Sequence, residues 1–600
     1  MADSPLHAKV DLPTFSILVD GKEINQAYQV KSISVDKEVN QISEARILFA
    51  DGEPKDETFE ISEGKDLEPG KEIKIKLGYH STEEDIFSGV ITSQKIKVRT
   101  YSHQGTSELE IHCHDKAFKM LTARKSATFK DLKDSEVMAK VVKDAGLTAT
   151  VKATTFKFPM MVQYDSSDWN FVLTRADANG FIVLNDAGAL DIGPPTMSGT
   201  EVLDLNYGND VIDFEGELDS TTQLDSAAGE SWDSQKHSML KGASKEPTMN
   251  AQGNITGKKL SEVGGKAKLE FKSSAPEPKE ELESLASSIV QRSRFARLRG
   301  LVSFPGSSKA EVGKLVKLSG FGERFNGLIY VTRVSHELSN GFWKTEIGFG
   351  LDSKAFSDSG EISGPMANGV IPGVSGVQIG KVEKIHEDPD SQFRVLVSVP
   401  SMNIEAAEGV WARLLVPHAS AGVGMYFFPE IGDEVLLGFL NNDPRYAVIL
   451  GSMYSAKNAA PFTPEQENKD KAIITKAKLK ITFEDKDKII CVETPGGQKV
   501  TLDDKAKSLT LEDQNKNKVV LDSKGISLNS GKDIILDSKG KVAISAAQNI
   551  EIKSKGGDVA VEGLNVKSKA KVALSAEGSA TAELKASGNV TVKGAMVMIN

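Results

Sequence analysis

The fold is decided by a stretch that reads, from Val500 to Leu536, VTLDDKAKSLTLEDQNKNKVVLDSKGISLNSGKDIIL. In each of its triplets, beginning with Val500-Thr-Leu502, two apolar residues flank one central residue. This spacing puts both apolar side chains on the same face of a β-strand. The triplets recur about every eight residues up to Val597-Met-Ile599, with Asp, Ser, Lys, Asn and Gly between them. A short fixed repeat of this kind predicts a β-solenoid rather than a globular domain.

Composition indicates a thin rod. After Pro495 the chain has no Pro, aromatic residue, His, Cys or Arg. Pro would remove a donor from a strand ladder, and a bulky ring would not fit a narrow core of Val, Ile, Leu and Ala. One copy would expose its strand edges and bury too little surface to offset its ordering entropy, so we expect three chains wound into a triangular prism. Thirteen strand layers spaced ~4.8 Å apart give a needle roughly 60 Å long. A disordered Lys/Ser/Gly-rich tail, the alternative reading, does not explain the regular triplets.

The rest of the chain has the composition of a multidomain soluble protein. Its 600 residues correspond to about four domains of ~150 residues. The net charge is −11, and residues 496–600 hold sixteen Lys against twelve acidic residues, so residues 1–495 carry −15. This acidic body argues against nucleic-acid binding.

The compartment of synthesis is predicted from what the sequence lacks. No apolar run approaches the ~20 residues of a membrane span. The N-terminus has no basic segment followed by an apolar core, which predicts synthesis in the cytoplasm without a signal peptide. Two cysteines, Cys113 and Cys491, argue against a disulfide framework and fit a reducing compartment.

Residues 1–215 are predicted to form a first hub β-barrel with a helical insert, because residues 1–115 alternate apolar and polar positions in short segments. The turn Asp20-Gly21 predicts a hairpin. A helix is predicted to begin with Asp134 or Ser135 as its cap and to stop at Gly146. The apolar segments are Phe15–Val19, Ile33–Val35, Ala45–Phe49, Glu72–Leu77, Ile86–Ile91, Ile96–Val98 and Leu109–Ile111.

The segment from Gln163 to Gly180 reads QYDSSDWNFVLTRADANG. Ser167 or Asp168 is suited to cap a helix here, and Gly180 to end it. As a sequence, the segment resembles the Q-Y-x-x-S-D-[FW]-x-F signature of VgrG and phage late-control D proteins. Its ending, LTRADANG, is closer to the spikes of extracellular contractile injection systems than to those of type VI secretion.

Residues 216–351 are predicted to form a second barrel. The segment up to about residue 275 is rich in Ser, Gly and Lys and weakly patterned, and a helix is expected from about Glu280 to Leu298. The following part resembles the second barrel of the same family, including the strand end Val334-Ser-His336. A Gly/Ser/Pro-rich linker is predicted over residues 352–375. The strands expected in the barrel are Gly300–Phe304, Gly313–Leu318, Gly327–Val334 and Trp343–Phe349.

Residues 376–457 look like the OB-fold domain of VgrG and phage baseplate spike proteins almost motif for motif. From the residues alone, the segment predicts a five-strand Greek-key barrel with turns at Gly432-Asp433 and Asn442-Asp443-Pro444. The strands lack the exposed aromatic and basic platform that binds single-stranded nucleic acid. The matching motifs are Gly380-Lys-Val382, Asp388-Pro389, Arg394-Val-Leu-Val397, Val410-Trp-Ala-Arg413, GVGMYFFPEIGDEV from Gly422 to Val435, and Gly451-Ser-Met-Tyr454.

The predicted fold class is mostly β. Residues 458–495 are expected to form a neck and residues 496–600 the needle. The complete architecture is two small β-barrel hub domains with flanking helices, an OB-fold barrel, and a C-terminal intertwined trimeric β-helix needle.

The resemblance implies a structural spike of a phage-tail-like contractile injection system. In that family, three copies of two barrels make a six-lobed ring that adapts a sixfold inner tube to a threefold needle. The expected partners are two further copies of the chain, tube and baseplate proteins at the N-terminal hub, a PAAR-type tip protein, and transiently the target membrane. The spike would belong to a particle that is either released from its producer or anchored to a cell.

In the resembling family the needle ends in a flat platform for the tip protein, and the resemblance implies that the last residues here, which would be an exposed apolar end, form it. The platform residues are Val590, Val592, Ala595, Met596, Val597, Met598, Ile599 and Asn600.

Catalysis is not predicted. Between Ser455 and Thr494 only forty residues separate the OB domain from the needle, too few for an independent enzyme core. One alternative is a spike with envelope-degrading, lysozyme-like activity, which needs a larger insertion. The other is a β-helical adhesin or tail fibre that binds surface polysaccharide, and such proteins usually display aromatic platforms.

Three polar groups have ordinary structural explanations. His112-Cys113-His114-Asp115 is the one metal-like cluster, yet on a strand at most two of its ligands share a face, fewer than a structural zinc site needs. His336 is expected to pack in a barrel, and Glu430 and Glu434 to be solvated beside a turn. No catalytic or phosphate-binding motif occurs, so we predict no cofactor and no metal.

Overall fold

The computed structural model describes residues 4–5, 11–53, 57–99, 106–233 and 236–599. The chain divides into two compact units, Met1–Met453 and Tyr454–Asn600. None of the helices in these described ranges is long and apolar enough to cross a membrane.

The first unit begins with a β-rich half. Its elements are β1 (Pro13–Val19), β2 (Lys22–Glu23), β3 (Val30–Glu38), β4 (Glu44–Ala50), α1 (Glu60–Glu63), β5 (Glu72–Tyr79), β6 (Thr82–Arg99) and β7 (Thr106–His114). The predicted Asp20-Gly21 hairpin is confirmed, since Val19 pairs with Lys22. The segments Ile86–Ile91 and Ile96–Val98, predicted as separate strands, are one strand, β6, with a bulge between Ile91 and Ser93.

A mixed insert of helices and strands follows. Its elements are β8 (Arg124–Lys133), α2 (Asp134–Asp144), β9 (Thr148–Val151), β10 (Lys157–Ser167), α3 (Asp168–Ala178), β11 (Ile182–Asp186) and β12 (Ala189–Gly193). The Ser167 cap is confirmed, because its hydroxyl accepts the Asn170 N–H at 3.2 Å. The predicted cap of α2 is wrong by one residue: Lys133 holds the cap position, and its N–H donates to the Glu136 carboxylate at 2.8 Å.

The second half of the hub contains a small sheet that the weak sequence pattern did not reveal. Strands β15 to β17 form this sheet and contact the long helix α5. The elements are β13 (Leu203–Asn206), β14 (Asp213–Leu218), β15 (Ser226–Asp233), β16 (Ser238–Ala243), α4 (Gly257–Leu260), β17 (Lys268–Ser273), α5 (Lys279–Phe295), β18 (Leu298–Pro305), β19 (Leu315–Ser319), α6 (Gly322–Phe325), β20 (Gly327–Ser339) and β21 (Phe342–Phe349).

One large sheet joins the two halves of the hub. Its order is β14-β18-β21-β20-β3-β4-β7-β6-β5-β1-β2, with β19 pairing to β20 and β13 to β19. The junction is the antiparallel pair β20–β3, which runs from Arg333 opposite Glu38 to Ser339 opposite Ser32. Each half has its own apolar core, centred on Ile47 and Phe49 in the first and on Val302 and Phe304 in the second.

The OB-fold segment forms the predicted barrel. Strands β22 (Gln378–Lys384), β23 (Val395–Ser398), β24 (Val410–Leu414), β27 (Glu434–Phe439) and β28 (Ala447–Ser452) close in the order β22-β23-β24-β28-β27. A short hairpin, β25 (Ala419–Ser420) with β26 (Val423–Gly424), projects between β24 and β27. Val382, Val397, Val435 and Ile449 fill the barrel and are completely buried.

The second unit is a meander of short antiparallel strands in sequence order. The strands begin at Asp470, inside the segment predicted as a neck, and continue without a break in pattern to Asn529. Among the described residues 530–599 no strand is formed within the single chain, although the apolar triplets continue there. The strands are β29 (Asp470–Ile474), β30 (Lys480–Glu484), β31 (Ile489–Glu493), β32 (Lys499–Asp503), β33 (Ser508–Glu512), β34 (Lys518–Asp522) and β35 (Gly525–Asn529).

Candidate functional site

The meander β29–β35 carries all its apolar triplet side chains on one face. Directly paired residues on antiparallel strands project to the same side, and the register places these residues in two continuous columns. We call the set the apolar face. The first column is Phe483, Ile490, Leu502, Leu509, Leu521 and Ile526, and the second is Ile473, Ile481, Val492, Val500, Leu511, Val519 and Leu528.

The apolar face is more exposed than the opposite face of the same sheet. Leu502 is 45% exposed and Leu528 56%, whereas Cys491, on the opposite face, is 9% exposed. Cys491 stands in a row with Thr482, Thr501 and Thr510. The aliphatic columns are therefore the larger exposed apolar surface of this sheet. Burying them against another molecule would give a hydrophobic stabilisation that the single chain does not obtain.

The same exposure continues through the triplets beyond the last strand. Leu564 is fully exposed and Val572 is 98% exposed. In the platform, every described residue from Val590 to Ile599 is exposed, and Ile599 reaches 90%. Asn600, the remaining platform residue, lies outside the described residues.

The His112–Asp115 cluster does not converge. His114 Nδ1 lies 2.7 Å from the Thr92 hydroxyl, and His112 Nε2 lies 3.1 Å from a Glu110 carboxylate oxygen. Cys113 points into the core on the other face, where burial raises the pKa of its thiol. Asp115 accepts the N–H groups of Ala117 and Gly188 instead. Over the described ranges, no group of three or more His, Cys, Asp and Glu side chains is placed to hold a metal ion.

His336 is a packed residue of the junction strand β20. It is 3% exposed, its Nδ1 lies 2.9 Å from the Thr345 hydroxyl, and its ring lies 5.8 Å from that of Trp343. Burial, assisted by the nearby Lys37 charge, lowers the pKa of His336 to about 3. His336 is among the residues that line a cleft of the hub, but its imidazole is buried and neutral at neutral pH, which fits core packing.

The Gly432-Asp433 turn is present as predicted. Gly432 has φ +93°, and the Asp433 carboxylate accepts the Glu430 N–H at 2.9 Å. The turn therefore explains the Asp433 carboxylate, while Glu430 is exposed beside the turn and Glu434 is half-buried at the start of β27.

Sequence reasoning missed a polar cleft of about 710 Å³ in the hub. Segments far apart in the chain build it, so no local motif marks it. Two ion pairs lie in its lining, Lys37 with Asp186 at 2.9 Å and Lys74 with Asp85 at 2.8 Å. Glu38 also lines the cleft, and burial raises the pKa of its carboxyl group. The Lys74 hydrogen bond lowers the pKa of Asp85, which favours a fixed ion pair over an acid or base poised for catalysis.

Family models match most of the first unit. The model described as the Alg8 N-terminal domain matches residues 9–340, more than half of the chain. The model described as the type VI secretion system/phage-baseplate injector OB domain matches residues 378–454, the closed barrel.

Two curated relatives come from Vibrio cholerae. The actin cross-linking toxin VgrG1 is 34% identical over 84 residues, which is 13% of this chain and 8% of that protein. The type VI secretion system spike protein VgrG3 is 37% identical over 60 residues, 10% of this chain and 6% of that protein. The chain thus matches less than a tenth of the length of either relative.

A solved structure, the 43 kDa tail protein of prophage MuSo2 from Shewanella oneidensis, is similar at 12% identity with a TM-score of 0.43. The similarity covers 57% of this chain and 98% of that one.

The OB-domain match and the two short VgrG matches define the class that the chain resembles: spike proteins of the VgrG and phage-baseplate kind. By the family model that matches residues 9–340, the chain belongs to the family of the Alg8 N-terminal domain.

Proposed function

We propose that this chain is the homotrimeric, non-enzymatic spike of a contractile injection machine, with residues 470–600 forming its needle. The observation that carries the proposal is the apolar face of β29–β35, which one chain leaves exposed. Three copies that turn these faces toward a common axis would bury them and form a triangular prism. The triplets from Ile534 onward would then obtain strand partners from the other copies, as an intertwined β-helix requires.

The role in the machine follows from this arrangement. The hub would contact the inner tube and baseplate, and contraction would drive the rod through a target membrane. The rod would be stiff because backbone hydrogen bonds run along its whole length. We place the spike in a particle assembled in the cytoplasm, either released or anchored to a cell.

Resistance to detergent tests the needle. Interwoven trimers unfold slowly, so unboiled protein should migrate as a trimer in sodium dodecyl sulfate and as a monomer after boiling. A chain truncated after Asp470 should lose this resistance. If the unboiled full chain migrates as a monomer, the proposal of an intertwined trimeric needle is contradicted.

The platform is the proposed site for a PAAR-type tip protein. Its exposed Met, Val and Ile side chains suit a flat apolar interface. Deleting Gly588 to Asn600 should abolish co-purification of the tip protein while leaving the trimer intact. The control is Glu583→Lys, a charge reversal at an exposed residue just before the platform, and it should leave tip-protein binding unchanged. Tip-protein binding that persists after the deletion would contradict the proposed platform.

A further inference from the structure

The predicted linker, residues 352–375, is attached to helix α3 of the hub. The Asn170 side-chain amide donates to the Glu361 carbonyl at 2.7 Å, and the Phe356 N–H donates to the Asp177 carboxylate at 3.2 Å. The half-buried Phe356 ring also packs against the apolar core of the helical insert. Two hydrogen bonds and one packed ring thus hold the first part of the linker on the hub.

The Asp177 carboxylate is shared between the linker and the long helix α5. Its Oδ1 accepts a hydrogen bond from the Arg292 guanidinium, while its Oδ2 accepts the Phe356 N–H. A charged donor and a backbone donor therefore use the two oxygens of one carboxylate. Because ionised acceptors make the stronger hydrogen bonds, this contact fixes the linker to two helices of the hub at once.

Both attachment residues lie in the segment Gln163–Gly180, for which the proposed function provides no role. Within that segment Gln163 serves the local structure, since its side-chain amide donates to the Asp168 carboxylate at 3.0 Å. Asn170 and Asp177 are seven positions apart, about two helical turns, so they lie on the same face of α3. One helix face thus contacts the linker at two separate points.

The other end of the linker is attached to the OB barrel. The Val374 N–H donates to the Asn442 carbonyl at 2.8 Å, and the Asn441 side-chain amide donates to the Asn368 side-chain oxygen at 3.1 Å. Asn441 and Asn442 lie in the loop between β27 and β28, with φ of +52° and +56°. Asn accepts this left-handed conformation more readily than most residues, so the loop presents its carbonyl and amide to the linker.

We propose that residues 352–375 form a strap latched to α3 at one end and to the β27–β28 loop at the other, with Asn170 and Asp177 as the residues that position it. A free Gly/Ser-rich chain of these 24 residues would have an end-to-end distance of roughly 27 Å and could extend to about 80 Å. The latch removes this slack.

The mechanical consequence rests on the proposed function. In a contracting machine, force applied to the hub would reach the OB barrel and the needle directly, because no loose segment has to be pulled taut first. The helix face that carries Asn170 and Asp177 would then be a load-bearing part of the spike.

Limited proteolysis of the full chain with trypsin tests the latch. Lys354 is the one Lys or Arg in residues 352–375, and cleavage there requires local opening of the strap. Asn170→Asp replaces the amide donor by a carboxylate that the Glu361 carbonyl repels, so cleavage after Lys354 should become several-fold faster. The control is Asn209→Asp, the same change at an exposed residue of the hub, which should leave the rate unchanged.

A second pair of variants tests the packed ring. Phe356→Ser should also accelerate cleavage after Lys354, whereas Val370→Ser, at a position of the same strap that is 65% exposed, should not. Acceleration confined to Lys354 supports the latch. Wild-type cleavage in both Asn170→Asp and Phe356→Ser, or equal acceleration at all trypsin sites of the hub, overturns it.

Light scattering of the same variants separates the strap from the proposed function. A trimeric mass together with wild-type cleavage after Lys354 overturns the strap and leaves the proposed spike standing. A monomeric mass together with acceleration confined to Lys354 keeps the latch and removes the load-bearing role, because the trimeric spike on which that role depends would then be absent.

Discussion

At the residue scale, the hub is secured by buried ionic groups that the sequence pattern did not indicate. Arg175 of α3 donates to Asp134 of α2 at 2.7 and 2.9 Å and to Glu281 of α5 at 3.3 Å. Asn179 donates to the same Asp134 carboxylate at 2.8 Å. Three helices that are distant in sequence meet at one guanidinium group.

Removing this guanidinium should be costly, since it leaves the buried Asp134 carboxylate without its cationic partner. We expect Arg175→Met to lower the free energy of unfolding of the hub by about 3 kcal/mol, measured by chemical denaturation. Lys140→Met, which breaks the exposed Lys140–Asp144 pair, is the control and should cost less than about 0.5 kcal/mol. Equal losses in both variants would show that the buried cluster contributes no more than a surface pair.

His336 should make the hub sensitive to acid. Its folded pKa of about 3 lies below the ~6.5 of an unfolded histidine. The unfolded chain therefore takes up a proton first as pH falls, so stability is present above pH ~6.5 and is lost progressively down to pH ~3, by about 2 kcal/mol between pH 7.5 and pH 5. In His336→Gln this part of the pH dependence should vanish, while the exposed His418→Gln should retain it; a wild-type slope in His336→Gln would assign the acid sensitivity to other groups.

At the scale of elements, local patterns predicted strands well and their pairing poorly. The hairpin at Asp20-Gly21, the cap at Ser167 and the OB barrel were predictable because turn residues and alternation act over a few positions. The β20–β3 junction and the Arg175 cluster were not, because they join residues far apart in the chain and leave no local periodicity. The platform over Val590 to Asn600 stays a prediction, because it follows from the family resemblance and the apolar end of the needle and no contact within the single chain tests it.

The apolar face provides an element-scale prediction. Leu502→Asp would place three carboxylates inside the proposed prism, and we expect it to destabilise the trimer by about 3 kcal/mol per chain or more. Lys507→Asp adds the same side chain in an exposed turn and should leave trimer stability unchanged. Detergent resistance as a function of temperature distinguishes them, and equal behaviour of the two variants would mean that the apolar face is not buried in the assembly.

At the scale of the whole molecule, one feature of a single chain points to association. The second unit exposes its aliphatic columns more than its Thr/Cys column. The proposed trimer would bury these columns along a common axis.

The mass of the purified full chain in dilute solution tests this account most directly. Multi-angle light scattering should give three times the 64.6 kDa subunit mass, unchanged on dilution because interwoven chains separate slowly. A monodisperse mass of one subunit over the same concentrations would contradict the account, since the apolar face would then have no partner.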